Sequence, residues 1–327
     1  MSRYPFTDCI NHYMDSLSGF NSPETEACDR RHLMNIGRIF RELKADGAVS
    51  SDNPRYITAV DIDRFVGFRK KNGVKDNTIA KDLGLLKGLL DYYDNHAVDE
   101  FKAKFKKHIP KRTYKRKPPM PGYLRRMILD NARMTSALDW KMTEAYALVS
   151  LAICTGTRPK ELRMLYLDHV YLDDDGCLYV DLVHVKGEGT YGDPRTVPVH
   201  PDFIPILDHY LEARSLRLSM AGRTSEAFFP PIRGTGEFIS YNMTEKLKQC
   251  VEEDVGEKFT LYACRRTYGQ NAVDEGHDLV NVSRVLGHKR LSTTQMFYCD
   301  KDQRTAAQEL ARRWNLGASQ HSDRIED

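Results

Sequence analysis

Through the first hundred residues, apolar positions recur every three or four residues, the spacing of a buried helix face. Leu33, Ile36, Phe40 and Leu43 form one such stripe within residues 26–43, and Asp46-Gly47 supplies a stop signal. Thr58 is placed to cap a helix carrying Ile62, Phe65, Val66 and Phe68, which ends near Asn72-Gly73. Asn77 is placed to cap another, with Ile79, Leu83, Leu86, Leu89, Leu90 and Tyr93 as its stripe. With a first helix over residues 7–17, the pattern predicts a four-helix bundle. Pro110, Pro118, Pro119 and Pro121 then interrupt it. Residues 140–154 are apolar on most sides, which predicts a buried helix. Segments 170–172, 178–185 and 196–199 are β-like and separated by Asp173-Asp174-Asp175-Gly176 and Gly187-Glu188-Gly189, which predicts a small antiparallel sheet. Helical patterning returns over 242–253, 261–273 and 279–286. Ala307, Leu310, Ala311 and Trp314 make one last stripe, suited to packing on its own domain or on another protomer. The expected fold class is mainly α with a small antiparallel β-sheet. Residues 1–109 form a helical domain, 110–121 a linker, 122–317 a mixed α/β domain and 318–327 a polar tail.

Length and apolar fraction suit two domains with real cores. The net charge of +3 says little, but its distribution says more. Residues 102–117 hold nine Lys or Arg and no acid. A basic, proline-broken tether is placed to lie on a DNA backbone, through Lys111, Arg112, Lys115, Arg116 and Lys117. The bland reading of the same run is a solvated connector. Seven scattered cysteines without a C-x-x-C pair fit a reduced, intracellular protein. No apolar run reaches the ~18 residues of a membrane span, and the N-terminus has no signal-peptide core.

Four short segments carry the chemistry. They are Thr155-Gly156-Thr157-Arg158-Pro159-Lys160-Glu161-Leu162, Arg265-Arg266-Thr267, Leu286-Gly287-His288 and Tyr298. Each is weak alone. In this order they resemble the active site of the tyrosine recombinases, the phage-integrase family. The resemblance implies a helical core-binding (SAM-like) domain at the N-terminus, a catalytic domain after the linker, and a clamp of the two around DNA. It implies cleavage and rejoining of double-stranded DNA through a 3′-phosphotyrosyl link, with strand exchange.

Such chemistry needs an in-line nucleophile, cations for the non-bridging oxygens and an acid for the departing 5′ oxygen. Arginine suits the second task because its planar fork stays charged and binds phosphate twice. The resemblance assigns Arg158 and Arg265 to it, and Lys186, at the tip of the hairpin, to the acid. His184 and Arg195 share that ribbon. Glu161 is expected to pair with or orient its neighbours. His288 matches the family's second histidine, which assists proton transfer. Tyr262 stands where the family usually has histidine, as in some archaeal integrases and telomere resolvases. A phenol donates a hydrogen bond but brings no positive charge near neutral pH.

The family usually places its nucleophile nine residues after the second histidine, and that position here is Phe297. Either Tyr298 is the nucleophile after a one-residue insertion, or the usual tyrosine has been replaced by phenylalanine. The resemblance implies no metal, ATP or other cofactor. It implies a homo-oligomer on DNA, a tetramer in the synapse, with room for an accessory DNA-bending protein, in a virus or mobile element of a prokaryotic host. Two other readings stay open: a type IB topoisomerase-like enzyme, and a catalytically silent DNA-binding protein.

Overall fold

The computed structural model describes residues 5–113, 116–188, 192–298 and 311, the side chain of residue 298 excepted. The chain divides into two compact units, Met1–Lys115 and Arg116–Asp327.

The first unit holds α1 (Pro5–Ser16), α2 (Pro23–Ala45), α3 (Ala59–Lys71), α4 (Asp76–Tyr92) and α5 (Ala97–Lys104). Local chemistry sets most of the ends. Ser22 caps α2, and Thr58 caps α3 in a reciprocal box with Asp61. The stripes meet in one core, where the Phe6, Phe40 and Phe65 rings stack at 5.7 and 5.2 Å. Burying each such ring stabilises the unit by about 1.5–3 kcal/mol before entropy is counted.

Two expectations change. The bundle has a fifth helix, because Ala97, Val98 and Phe101 are buried in the same core. Asn77 is not a cap: the N-cap of α4 is Lys75, without a side-chain bond. Asn77 instead clasps the backbone of Thr113, donating from Nδ2 to its carbonyl at 2.7 Å and accepting its N–H at 2.9 Å. Asp76 accepts the Lys111 N–H at 2.9 Å. The backbone of 111–113 is thereby pinned while the Lys111 and Arg112 side chains stay exposed.

The second unit holds α6 (Gly122–Met134), α7 (Trp140–Thr155), α8 (Pro159–Arg163), β1 (Val170–Leu172), β2 (Leu178–Leu182), β3 (Arg195–Pro198), α9 (Ile204–Met220), α10 (Tyr241–Val255), α11 (Leu261–Asp274), α12 (Leu279–Val285) and α13 (Leu291–Tyr298). Helix α7 is the central post: every residue from Thr143 to Thr155 is buried, so its apolar pattern runs all round. The sheet is antiparallel in the order β1-β2-β3, with Val180 opposite both Val170 and Val197. Strand β2 stops at Leu182, short of the expected Val185. Lys186 therefore lies in a turn within the long β2–β3 connection, not at a simple hairpin tip. The final stripe at 307–314 and the tail lie outside the described residues, Ala311 excepted.

Candidate active site

Helix α7 ends in a left-handed residue, Gly156, with φ 63°. A Cβ there would meet Tyr268 Cδ1 at 2.8 Å, so both the turn and the packing demand glycine. The sharp turn hands the chain directly to Arg158, which opens α8. Arg158 Nη1 donates to Glu161 Oε1 at 2.7 Å, and Nη2 donates to the Gly287 carbonyl at 2.8 Å.

Glu161 is buried beneath this arginine and holds a second one. Arg195 Nη1 and Nη2 donate to its two oxygens at 3.1 and 2.8 Å, and Arg195 Nε donates to the Val285 carbonyl at 2.8 Å. Burial alone would raise the Glu161 carboxyl. The Arg195 and Arg158 guanidinium groups outweigh it and hold the acid below its ordinary range. One carboxylate thus orients two cations drawn from α8 and β3. Arg195 also lies against Gly287, where φ is 65° and a Cβ would sit 2.9 Å from its guanidinium carbon. The glycine of Leu286-Gly287-His288 is set by that close approach.

Arg265, on α11, is 3% exposed. Its Nη1 donates to the Gly156 carbonyl at 2.8 Å and its Nη2 to the Leu286 carbonyl. Nη2 also lies 3.1 Å from His288 Nε2. A guanidinium only donates, so Nε2 accepts and the ring proton sits on Nδ1, which donates to Thr294 Oγ1 at 2.8 Å. Burial, then the fields of Arg265, Arg158 and Arg195, push the His288 pKa down to about 3.

The sign follows. His288 is neutral in the folded chain, and the stability this contributes is complete above the ordinary histidine pKa of about 6.5 and is lost as pH falls through about 3. In the free protein its ring signals should not titrate between pH 8 and pH 5, with the proton on Nδ1 in nitrogen-detected NMR. A midpoint near 6.5 would contradict this arrangement.

A cavity of about 390 Å³ opens at this point, lined by Arg158, Lys186, Arg195 and His288, with Arg284 and Lys289 adding charge. Asp193 is the single carboxylate among its lining residues. Such a cavity suits an anion whose charge grows during reaction. Of the expected site residues, Arg158, Lys186 and His288 meet here, and Arg265 stands behind His288. Tyr262 lies one turn before Arg265 on α11, is exposed, and is not among the lining residues. Tyr298 is the last described residue of α13, and Phe297 packs on Val282 and Leu286. Of the linker cations, Lys111, Arg112, Arg116 and Lys117 are exposed and Lys115 lies outside the described residues. Arg116 donates from Nε to the Met296 carbonyl at 2.7 Å and from Nη2 to the Gln295 carbonyl at 2.9 Å.

Sequence reasoning passed over Arg195 as a partner of the site. The signal available was the acid of Arg158-Pro159-Lys160-Glu161, which has to find cations if buried.

The pattern of the phage integrase family matches residues 128–304, more than half of the chain. A tyrosine recombinase XerD of Listeria monocytogenes is 23% identical over 256 residues, covering 77% of this chain and 81% of its own. A tyrosine recombinase XerC of Oceanobacillus iheyensis is 23% identical over 271 residues, covering 82% and 84%. Among solved structures, XerH site-specific recombinase bound to palindromic difH substrate, in a post-cleavage complex, aligns with TM-score 0.67 at 17% identity over 96% of this chain and 98% of that one. The order of the motifs, the helical fold with its small sheet and the family match agree, and the chain belongs to the phage integrase family.

Proposed function

We propose that this chain is a site-specific DNA recombinase that cleaves and rejoins duplex DNA through a 3′-phosphotyrosyl intermediate and strand exchange. The observation that carries the reading is the convergence of Arg158, Lys186 and His288 on one basic cavity, with Arg265 locked behind His288. Arg158 and Arg265 bind the non-bridging oxygens of the scissile phosphate. The plane of Arg158 is already fixed by Glu161, so little reorganisation is left for it, while Arg265 turns an N–H from His288 to the phosphate. Tyr298 attacks phosphorus, the bond to the 5′ oxygen breaks, and Lys186 protonates that oxygen. The phenol proton passes to Nε2 of His288, whose Nδ1–H stays on Thr294, as Arg265 turns from that nitrogen to the phosphate. Tyr262 donates a neutral hydrogen bond. The 5′ hydroxyl of a partner strand reverses the step, and the protein–DNA ester conserves the bond energy. The arginines and the lysine supply the charge, so no metal or nucleotide enters.

The first unit and the basic segment bind the DNA backbone. Lys111 and Arg112 fit this well, because their main chain is held by Asp76 and Asn77 while their charges face outward. Lys115 and Lys117 extend the same run, while Arg116 is given to the carbonyls of Gln295 and Met296. The working form is a homotetramer on two duplexes, joined through the terminal stripe at Ala307, Leu310, Ala311 and Trp314. An accessory DNA-bending protein completes the assembly, in a virus or mobile element of a prokaryote. XerH, in the complex named above, is bound to its difH substrate, which supports DNA as the ligand here.

The test is a nicked suicide duplex incubated with the chain in excess EDTA and read on a denaturing gel. A covalent adduct and a four-stranded junction product are expected. Relaxation without junctions would favour a topoisomerase-like enzyme, and no adduct would favour a silent DNA-binding protein. Loss on chelation with recovery in magnesium would contradict the metal-free mechanism.

A further inference from the structure

The described part of helix α13 runs from Leu291 to Tyr298, the candidate nucleophile. Arg116 donates to two successive carbonyls near that residue, those of Gln295 and Met296. The two acceptors are separate atoms on successive residues, and only a rigid fork reaches both.

Arg116 is itself anchored to the site. Arg266 Nε donates to the Pro118 carbonyl at 3.0 Å, and the Met120 N–H donates to Thr267 Oγ1 at 2.8 Å. Met120 is buried in the core of the second unit. Arg266 and Thr267 directly follow Arg265 on α11. Residues 116–120 are therefore a strap with one end on the helix that carries Arg265 and the other on the helix that carries Phe297 and Tyr298.

We propose that Arg116 is a positioning residue for strand cleavage, holding residues 295–298 of α13 in register with the arginines of the cavity. It acts through main-chain carbonyls rather than through the phosphate. This rests on the recombinase reading of the site. Arg116 is exposed like Lys111 and Arg112, its neighbours in the basic run, and differs from them in its bonds to the carbonyls of α13.

The test uses the full chain, with Arg116→Gln and Arg116→Lys, on a suicide duplex at saturating concentration. For Arg116→Gln, the single-turnover rate of adduct formation should fall about 10- to 100-fold, the cost of misplacing reacting atoms by roughly an ångström. DNA affinity, its salt slope and the thermal midpoint should stay at parent values. Arg116→Lys should fall between, since one ammonium reaches one carbonyl well. A 5′-bridging phosphorothiolate, whose leaving group needs no acid, should not rescue the Gln variant; rescue would overturn the proposal. A parent-like saturated rate, with weaker binding and a salt slope lowered by about 0.9, would make Arg116 a phosphate contact and overturn it too. A parent chain that forms no adduct would sink the recombinase reading and this proposal together. An active parent with an equally active Gln variant would sink this proposal alone.

Discussion

Arg265→Ala should cut the single-turnover rate of strand cleavage by roughly 100- to 1,000-fold, the usual effect of removing one transition-state donor, about 3–4 kcal/mol. The structure adds a second expectation. Arg265 is almost wholly buried and serves the carbonyls of Gly156 and Leu286 as well as His288. Its loss leaves those acceptors unpaired, at about 1–3 kcal/mol for each group that water cannot reach. The alanine variant should melt earlier, so cleavage is to be compared well below its midpoint. Arg158→Ala should show the same loss of rate with a smaller loss of stability, because Glu161 keeps Arg195. Duplex binding should change little in either variant, since many phosphate contacts remain. Arg265→Lys should stay slow, because an ammonium restores charge without the fork. A folded Arg265→Ala or Arg158→Ala chain that cleaves near the parent rate would remove that arginine from the reaction.

Local physics made much of the fold legible. Thr58 has the residue type of a cap, and it caps α3, with Asp61 closing a reciprocal box. Helix α7 and the three strands follow from apolar runs punctuated by turn residues. What escaped was set by distant contacts. Helix α5 is only eight residues long, and its burial comes from α3 and α4 rather than from a stripe of its own. Asn77 has the residue type of a cap, yet its amide serves a backbone 36 positions away.

The site divides in the same way. Its motifs are contiguous, so their order could be read. The neutral state of His288 depends on its burial and then on three guanidinium groups arriving from α11, α8 and β3, and no spacing encodes that. The link from Arg116 to Gln295 and Met296 spans about half the chain and runs to main-chain oxygens, which leave no trace in residue type.

The largest effect is expected at the nucleophile. Neighbours on a helix point about 100° apart, so Phe297 and Tyr298 cannot both face the cavity. Phe297 is spent on Val282 and Leu286, which favours Tyr298 as the residue left for the phosphate. Tyr298→Phe should abolish the covalent adduct outright, while Phe297→Tyr should leave it nearly unchanged. Had a phenylalanine replaced the catalytic tyrosine, the pattern would reverse: the chain as it stands would form no adduct, and Phe297→Tyr would create one. The most direct measurement is mass-spectrometric mapping of the peptide cross-linked to a suicide duplex. The account predicts a single DNA-linked peptide with the modification on Tyr298. A linked peptide that lacks Tyr298, or an adduct that survives Tyr298→Phe, would contradict it.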